Sequence, residues 1–196
     1  MEKDLLTALR PALVMALLFA LLLGLAYPLA LTGAGQILFP AQANGSLVRA
    51  GGKVIGSTLV GQAFASDRYF HSRPSAAGKG YDGLASSGSN LGPASRQLAD
   101  RVKADLRAYP DASPDRPAPS DLVTASASGL DPDISPQAAF YQADRVARAR
   151  GIAVGRVRGV IEETIEQPLF GFLGEPRVNL LELNRRLDRI GAKQAR

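Results

Sequence analysis

The sequence predicts an α+β protein, with a single N-terminal transmembrane helix followed by one mixed α+β soluble domain. Three observations carry this expectation. Residues 11–36 contain no charged side chain. Two short apolar runs flank the pair Gly51-Gly52, the pattern of a strand pair closed by a tight turn. In the second half, apolar residues recur at helical spacing between recognisable cap signals.

The uncharged stretch centres on ALVMALLFALLLGLAYPLAL, Ala12 to Leu31. At about 1.5 Å per residue, twenty helical residues span roughly 30 Å, one hydrocarbon thickness. Gly24 is tolerated in lipid, and Pro28 falls in the last predicted turn, where a kink or helix end is acceptable. Tyr27 stands where an interfacial ring would lie. A cleaved signal peptide is the rival, because Ala41-Gln42-Ala43 fits an A-x-A site. The apolar core is longer than a usual signal core, however, and the A-x-A begins ten residues beyond Leu31. An uncleaved anchor is therefore expected. Lys3, Arg10 and the N-terminal amine precede the span, and no Lys or Arg follows until Arg49. This bias puts the N-terminus in the cytoplasm. The expected division is 1–11 cytoplasmic, 12–31 transmembrane, 32–45 a Gly/Ala/Asn-rich tether, and 46–196 an extracytoplasmic domain, periplasmic in a bacterium.

Ser46–Gln62 reads as a β-hairpin turning at Gly51-Gly52. Ala63–Pro93 is rich in Ser, Gly and Asn and lacks periodicity; so long a loop in a compact domain is often functional. Ala94–Ala108 predicts a helix, with Leu91, Leu98, Val102 and Leu106 at helical spacing. Pro110, Pro114, Pro117 and Pro119 then predict an extended connector. Asp121–Ser128 reads as a strand. Ser135-Pro136 supplies an N-cap and a first-turn proline, and Gly151 a C-terminal stop, for a helix whose apolar face is Phe140, Ala143, Val146 and Ala147. Val157, Val160, Ile161, Thr164 and Ile165 mark a further helix ended by Pro168, and Leu180, Leu183, Leu187 and Ile190 a last one.

Composition closes off several chemistries. There is no cysteine, so disulfides, thiolate catalysis and iron–sulfur or zinc–thiolate sites are excluded, and a single histidine excludes a multi-histidine metal centre. With 46% hydrophobic and 21% charged residues, wholesale disorder is not expected. The net charge is +5, and residues 145–196 hold 11 basic and 6 acidic side chains, the whole excess. That basic third could face anionic lipid, nucleic acid or an acidic partner. An Arg-heavy, Ala-rich composition also follows from genome base bias, and that plainer reading is preferred; no nucleic-acid partner is expected.

The short motifs in the chain have mostly structural readings. Gly52-Lys53 with Gly56-Ser57 lacks the Walker order, since Val54 follows the lysine. Ser87-Gly88-Ser89-Asn90-Leu91-Gly92-Pro93 runs into a helix whose amides could hold an anion, although a turn and cap explain it without a ligand. A Ser-His-Asp triad would have to use His71, and no G-x-S-x-G elbow exists. Asp131 and Asp133 flank Pro132; they could approach a hard cation, but a turn before the Ser135 helix is preferred. The Asp-Lys-Thr-Gly phosphorylation motif of P-type ATPases and a TVGYG-like filter are both missing, and one helix encloses no pore. No metal and no directly bound cofactor is expected.

Six segments occur in order behind the span: GKVIGSTLVGQAF (Gly52–Phe64), YFHSRPSA (Tyr69–Ala76), SSGSNLGP (Ser86–Pro93), DLVTASASGLDPDISP (Asp121–Pro136), YQADRVARAR (Tyr141–Arg150) and GEPRVNLLELN (Gly174–Asn184). Together they resemble the C subunit of the Kdp potassium-transporting ATPase, the KdpC family, over most of residues 5–190. One departure is that many relatives carry glycine where Ser72 stands. The resemblance implies a non-catalytic accessory subunit of an ATP-driven, high-affinity potassium uptake complex of the bacterial inner membrane. Its partners there would be a channel-like A subunit, a P-type B subunit that hydrolyses ATP, a small F subunit, and membrane lipid. ATP and potassium would be handled by the complex. The family is described as a catalytic chaperone that raises the ATP affinity of the B subunit.

The expected topology conflicts with direct nucleotide contact, because roughly 30 Å of hydrocarbon separates the domain from a cytoplasmic ATP site. Any effect on ATP affinity would pass as coupling through the complex. The loops Ser66–Pro93 and Thr124–Pro136 are the expected partner contacts, with Tyr69, Phe70, His71, Arg73, Ser87, Ser89, Asn90, Ser126, Ser128, Asp131 and Asp133 as candidate interface residues. The alternative is a membrane-anchored periplasmic binding protein or enzyme acting alone; direct ATP binding would require the domain in the cytoplasm.

Overall fold

A computed structural model describes residues 2–109 and 116–194, with side chains described for 7–109 and 116–190. The proline connector predicted from Pro110 lies partly outside the described residues. The chain divides into two units between Leu47 and Val48.

The first unit is helical. Helix α1, Glu2–Leu21, passes through a π-type turn at Leu22–Ala26 into α2, Tyr27–Leu38, and a short α3, Pro40–Ala43, follows. Leu13, Val14, Met15, Leu17, Leu18 and Phe19 are all exposed. Successive positions lie about 100° apart, so apolar groups face every direction, as in a helix solvated by hydrocarbon and not in one with a single buried stripe. Thr7–Leu38 is 32 residues of high hydropathy, long enough to cross a membrane with length to spare.

Two details differ from expectation. Pro28 does not end the helix. A proline ring collides with the carbonyl four residues earlier, here Gly24, and the wider π-type turn sits there. The stretch beginning at residue 32, expected as tether, stays helical to Leu38. It stops where Pro40 disfavours helical backbone at Phe39, which adopts φ −137°, ψ 57°.

The expected hairpin starts at the boundary, with β1 (Leu47–Ala50) and β2 (Lys53–Ser57), and leads into the second unit. Gly51 and Gly52 both take positive φ, 55° and 78°, as a two-residue primed turn requires. Residues 58–95 follow as irregular chain. Helix α4, Arg96–Leu106, is capped by Ser95, whose Oγ accepts from the Leu98 amide.

Asp121–Ser128 is not a strand. Ser120–Leu122 forms one 3₁₀ turn. Leu122 drops alone into the core, and the chain then turns tightly through Ser126–Gly129. Alternation, which a strand needs, is absent here because the residues after Leu122 are mostly small.

The core is built by helices α5 (Pro136–Arg150), α6 (Val154–Thr164) and α7 (Leu180–Gln194) around an antiparallel sheet of β3 (Asp133–Ile134), β5 (Arg177–Asn179) and β4 (Ile165–Glu166), in that order. Ile134 and Ile165 both pair with Val178. Helix α5 has the expected ends. Ser135 Oγ accepts from the Ala138 amide, and Gly151 at φ 68° lets the Ile152 amide reach the Ala147 carbonyl. Ala138, Ala139, Ala143 and Ala147 are buried and let neighbours approach closely. Helix α6 ends earlier than Pro168. Thr164 turns its hydroxyl back to the Val160 carbonyl (2.7 Å), and Ile165 leaves to join the sheet. Leu180, Leu183 and Leu187 are buried on α7, each contributing about 1.5–3 kcal/mol by leaving water.

Candidate functional site

The two loops singled out by the sequence are brought together. The Ser87 amide and the Ser86 hydroxyl both donate to the Ser128 carbonyl at 3.0 Å. Ser75 Oγ donates to the Gly129 carbonyl at 2.6 Å, and the Gly61 amide to the Leu130 carbonyl at 2.8 Å. Arg73 joins the loops twice: its Nη1 meets Asp131 Oδ2 at 2.8 Å, and its Nε donates to the Thr124 carbonyl at 3.2 Å. The Tyr81 hydroxyl donates to the Arg73 carbonyl. Residues 66–93 and 124–136 therefore form one platform, knit by backbone groups, serine hydroxyls and the Arg73–Asp131 pair.

Helices α5 and α7 hold this platform from beneath through two buried amides. Asn184 Oδ1 accepts from the Phe70 amide (2.9 Å), and its Nδ2 donates to the Phe70 carbonyl (3.1 Å). Gln142 treats the next residue the same way: its Oε1 accepts from the His71 amide (2.8 Å) and its Nε2 donates to the His71 carbonyl (3.0 Å). Both side chains are 1% exposed. Two adjacent peptide units, with no strand beside them, are thus satisfied by helix side chains. Arg145 supports the same segment, donating to the carbonyls of Asp67 and Tyr69 and to Gln142 Oε1. Arg150 donates to the Arg68 carbonyl, pairs with Asp188 at 3.0 Å, and lies 5.0 Å from the centre of the Tyr69 ring.

The candidate residues separate into three groups. Phe70 is fully buried in the core and presents no side chain to a partner; this corrects the expectation for that residue. Tyr69, His71, Arg73, Ser89, Ser126, Asp131 and Asp133 are half-buried, and Ser87, Asn90 and Ser128 are exposed. Asp131 and Asp133 do not converge on a common point for a cation. Asp131 pairs with Arg73, whereas Asp133 meets Arg177 (3.2 Å) and Asn179 Nδ2 (3.1 Å). Among the described residues no group of three His, Asp or Glu could hold a metal ion. Burial raises the Asp133 carboxyl above the ordinary carboxylate value.

His71 Nε2 lies 3.2 Å from the Ser66 carbonyl oxygen. Burial, and then the nearby Arg145 guanidinium, hold its pKa below 6.5, against the opposing pull of the Ser66 carbonyl and Asp67. The unfolded chain therefore takes up this proton first. The stability His71 contributes is full above pH 6.5 and declines as pH falls from there to the lower folded value. Asp133 works with the opposite sign, so the variant is the test and not the raw pH curve. His71→Gln is expected to flatten the loss of urea resistance between pH 7.5 and the mildly acidic range. An unchanged slope would assign that loss to other groups. As the chain has one histidine, the assignment is unambiguous.

Gln142, Asn184, Arg145 and Arg150 were not legible as site residues. A signal existed for the two amides, because each is a polar residue on the buried stripe of its helix. Gln142 stands one turn after Ala138 and one before Val146; Asn184 adjoins Leu180, Leu183 and Leu187. Buried polar groups are the informative exceptions.

Comparisons agree with the segments quoted above. Residues 9–189 match a family model described as "KdpC: K+-transporting ATPase, c chain". A protein of Caulobacter vibrioides (strain NA1000 / CB15N), named Potassium-transporting ATPase KdpC subunit, is 59% identical over 184 residues, covering 93% of each chain. A protein of the same name from Myxococcus xanthus is 56% identical, covering 96% of this chain and 89% of its own. One from Rhodopseudomonas palustris (strain TIE-1) is 51% identical, covering 91% and 95%. With nearly its whole length matched by the family model and by relatives of this similarity, the chain belongs to the KdpC family.

Proposed function

We propose that this chain is the non-catalytic accessory subunit of an ATP-driven potassium uptake complex in a bacterial inner membrane. The apolar helix anchors it, with the N-terminus in the cytoplasm and the soluble domain in the periplasm. In this reading the domain meets a channel-like A subunit, a P-type B subunit and a small F subunit. ATP and potassium are handled by those partners, and any gain in ATP affinity crosses the bilayer as coupling within the complex. The platform serves assembly and contact.

The observation that carries this reading is the way the platform uses its polar groups. The Ser72, Ser75 and Ser86 hydroxyls donate to backbone carbonyls, and the His71 ring nitrogen faces one. None of these serines is poised against the imidazole as a nucleophile against its base. The arrangement shapes a surface, which suits a subunit better than an enzyme acting alone.

Two measurements test it. Alkaline phosphatase fused after Arg196 should be active, and a fluorescent protein that matures only in the cytoplasm should stay dark. The reverse pattern would place the domain beside the cell's nucleotides and overturn the proposed orientation. Affinity purification of the full chain from mild detergent should recover the other subunits of a potassium-transporting ATPase. A chain recovered alone would favour the stand-alone alternative.

A further inference from the structure

The β4–β5 hairpin carries an apolar tip that neither the platform nor the core uses. In the sequence Pro168-Leu169-Phe170-Gly171-Phe172-Leu173-Gly174, four large side chains stand in water. Leu169 is 64% exposed, Phe170 79%, Phe172 74% and Leu173 52%. Single exposed apolar residues are ordinary, but four within one short loop mark an interaction site.

The tip is built, not ragged. Leu169 and Leu173 form an antiparallel bridge, and the Gly171 and Leu173 amides donate to the Pro168 and Leu169 carbonyls at 2.9 and 3.0 Å. Phe170 and Gly171 take positive φ, 55° and 78°, which turns the chain back on itself. The two phenylalanine rings stack at 6.5 Å. Below the tip, Ile165 pairs with Val178, which is fully buried, so the loop is rooted in the core sheet.

Its charge decides between two occupants. A loop that enters an anionic bilayer gains from Lys or Arg at its base and from Trp or Tyr at the headgroups. From Glu166 to Pro176 there is no Lys, Arg, Trp or Tyr, and the charges are Glu166 and Glu175. Arg177 at the base is engaged by Glu166 (2.9 Å) and Asp133 (3.2 Å). Acidic flanks oppose an anionic lipid surface and leave a protein hollow as the occupant.

We propose that residues 169–173 are a docking prong that enters an apolar hollow on another subunit of the potassium-transporting ATPase. The inference rests on the accessory-subunit reading above. Preorganisation of the two rings lowers the ordering entropy lost on docking.

The test uses the full chain co-expressed with the rest of the complex. A photo-crosslinking phenylalanine analogue at position 172 should join the chain to an ATPase subunit identified by mass spectrometry. Cross-links confined to phospholipid, or to a second copy of the chain, would overturn the proposal. Phe170→Ser combined with Phe172→Ser should lower recovery of the other subunits about tenfold or more, as expected when two interface anchors are lost. Its circular dichroism and urea midpoint should match the parent, because both rings are exposed. Glu175→Lys separates the occupants independently: weaker recovery supports a protein hollow, and tighter retention on anionic vesicles with unchanged recovery supports lipid and sinks the prong. If the unaltered chain brings down no ATPase subunit, the accessory reading fails and takes the prong with it. If the unaltered and doubly substituted chains recover the complex equally, only the prong fails.

Discussion

Asn184→Leu is expected to destabilise the soluble domain by about 2–6 kcal/mol, through two peptide groups left without partners. Leucine is close to asparagine in size, so the substitution removes hydrogen bonds with little change in packing. The Phe70 amide and carbonyl would lose their partners at 2.9 and 3.1 Å, at a residue that is fully buried. An orphaned buried donor or acceptor costs roughly 1–3 kcal/mol, and here there is one of each. For a domain of this size the thermal midpoint should fall by about 5–15 °C. The measurement is thermal unfolding of the full chain in detergent, followed by the loss of domain helicity. A shift under about 2 °C, at most about 1 kcal/mol, would mean that water or a rearranged backbone satisfies Phe70 instead.

Gly129→Ala should do comparable damage by a different route. Gly129 takes φ +66°, and a Cβ there would lie 2.6 Å from the Ala77 amide nitrogen, 2.7 Å from the Ser87 carbonyl oxygen and 2.9 Å from Ala77 Cβ. Two of these three atoms are backbone, which cannot rotate aside. Positive φ adds about 1–2 kcal/mol for a residue with a Cβ, and overpacking about 1–3 kcal/mol more. Unlike Asn184→Leu, the change acts where the two loops meet and leaves the helical core untouched. Hydrogen exchange should therefore report local opening. The Ser87 amide, bonded to the Ser128 carbonyl at 3.0 Å, should lose protection while amides of α5 keep theirs. Uniform loss across both would show that the platform and core unfold as one unit.

Features written in local chemistry were legible in the sequence. The membrane-length helix, the Gly51-Gly52 hairpin and both ends of α5 rest on signals within a few residues of the structures they specify. That the helix runs on to Leu38 is hidden in the sequence, because Thr32–Gln36 carries little hydrophobic signal and only Pro40 marks the stop. Strands β3, β4 and β5 are two or three residues long, too short for alternation to register. Asp121–Ser128 resembled a strand in composition, yet its one anchor, Leu122, and the Gly129 turn give it no partner strand. Composition singles out the two loops one by one, but their contact with each other is hidden because Arg73 and Asp131 lie 58 residues apart. Phe70 sat in a motif that reads as surface, and only packing against residues far along the chain reveals it as core.

The amide clamp has a consequence for how the domain is made. Asn184 and Phe70 are separated by 114 positions, and Gln142 and His71 by 71. Closing such long loops carries an entropic penalty that neighbouring contacts must already offset. Ribosomes release the chain from its N-terminus, so the strap containing Phe70 emerges well before α7 exists to hold it. The α5–α6–α7 bundle, with its nearby partners, can assemble first, and the strap settles onto it last. Until the final helix arrives, Asn184 is not there to satisfy the Phe70 peptide groups, so the expected order of assembly is bundle first and Phe70 segment last.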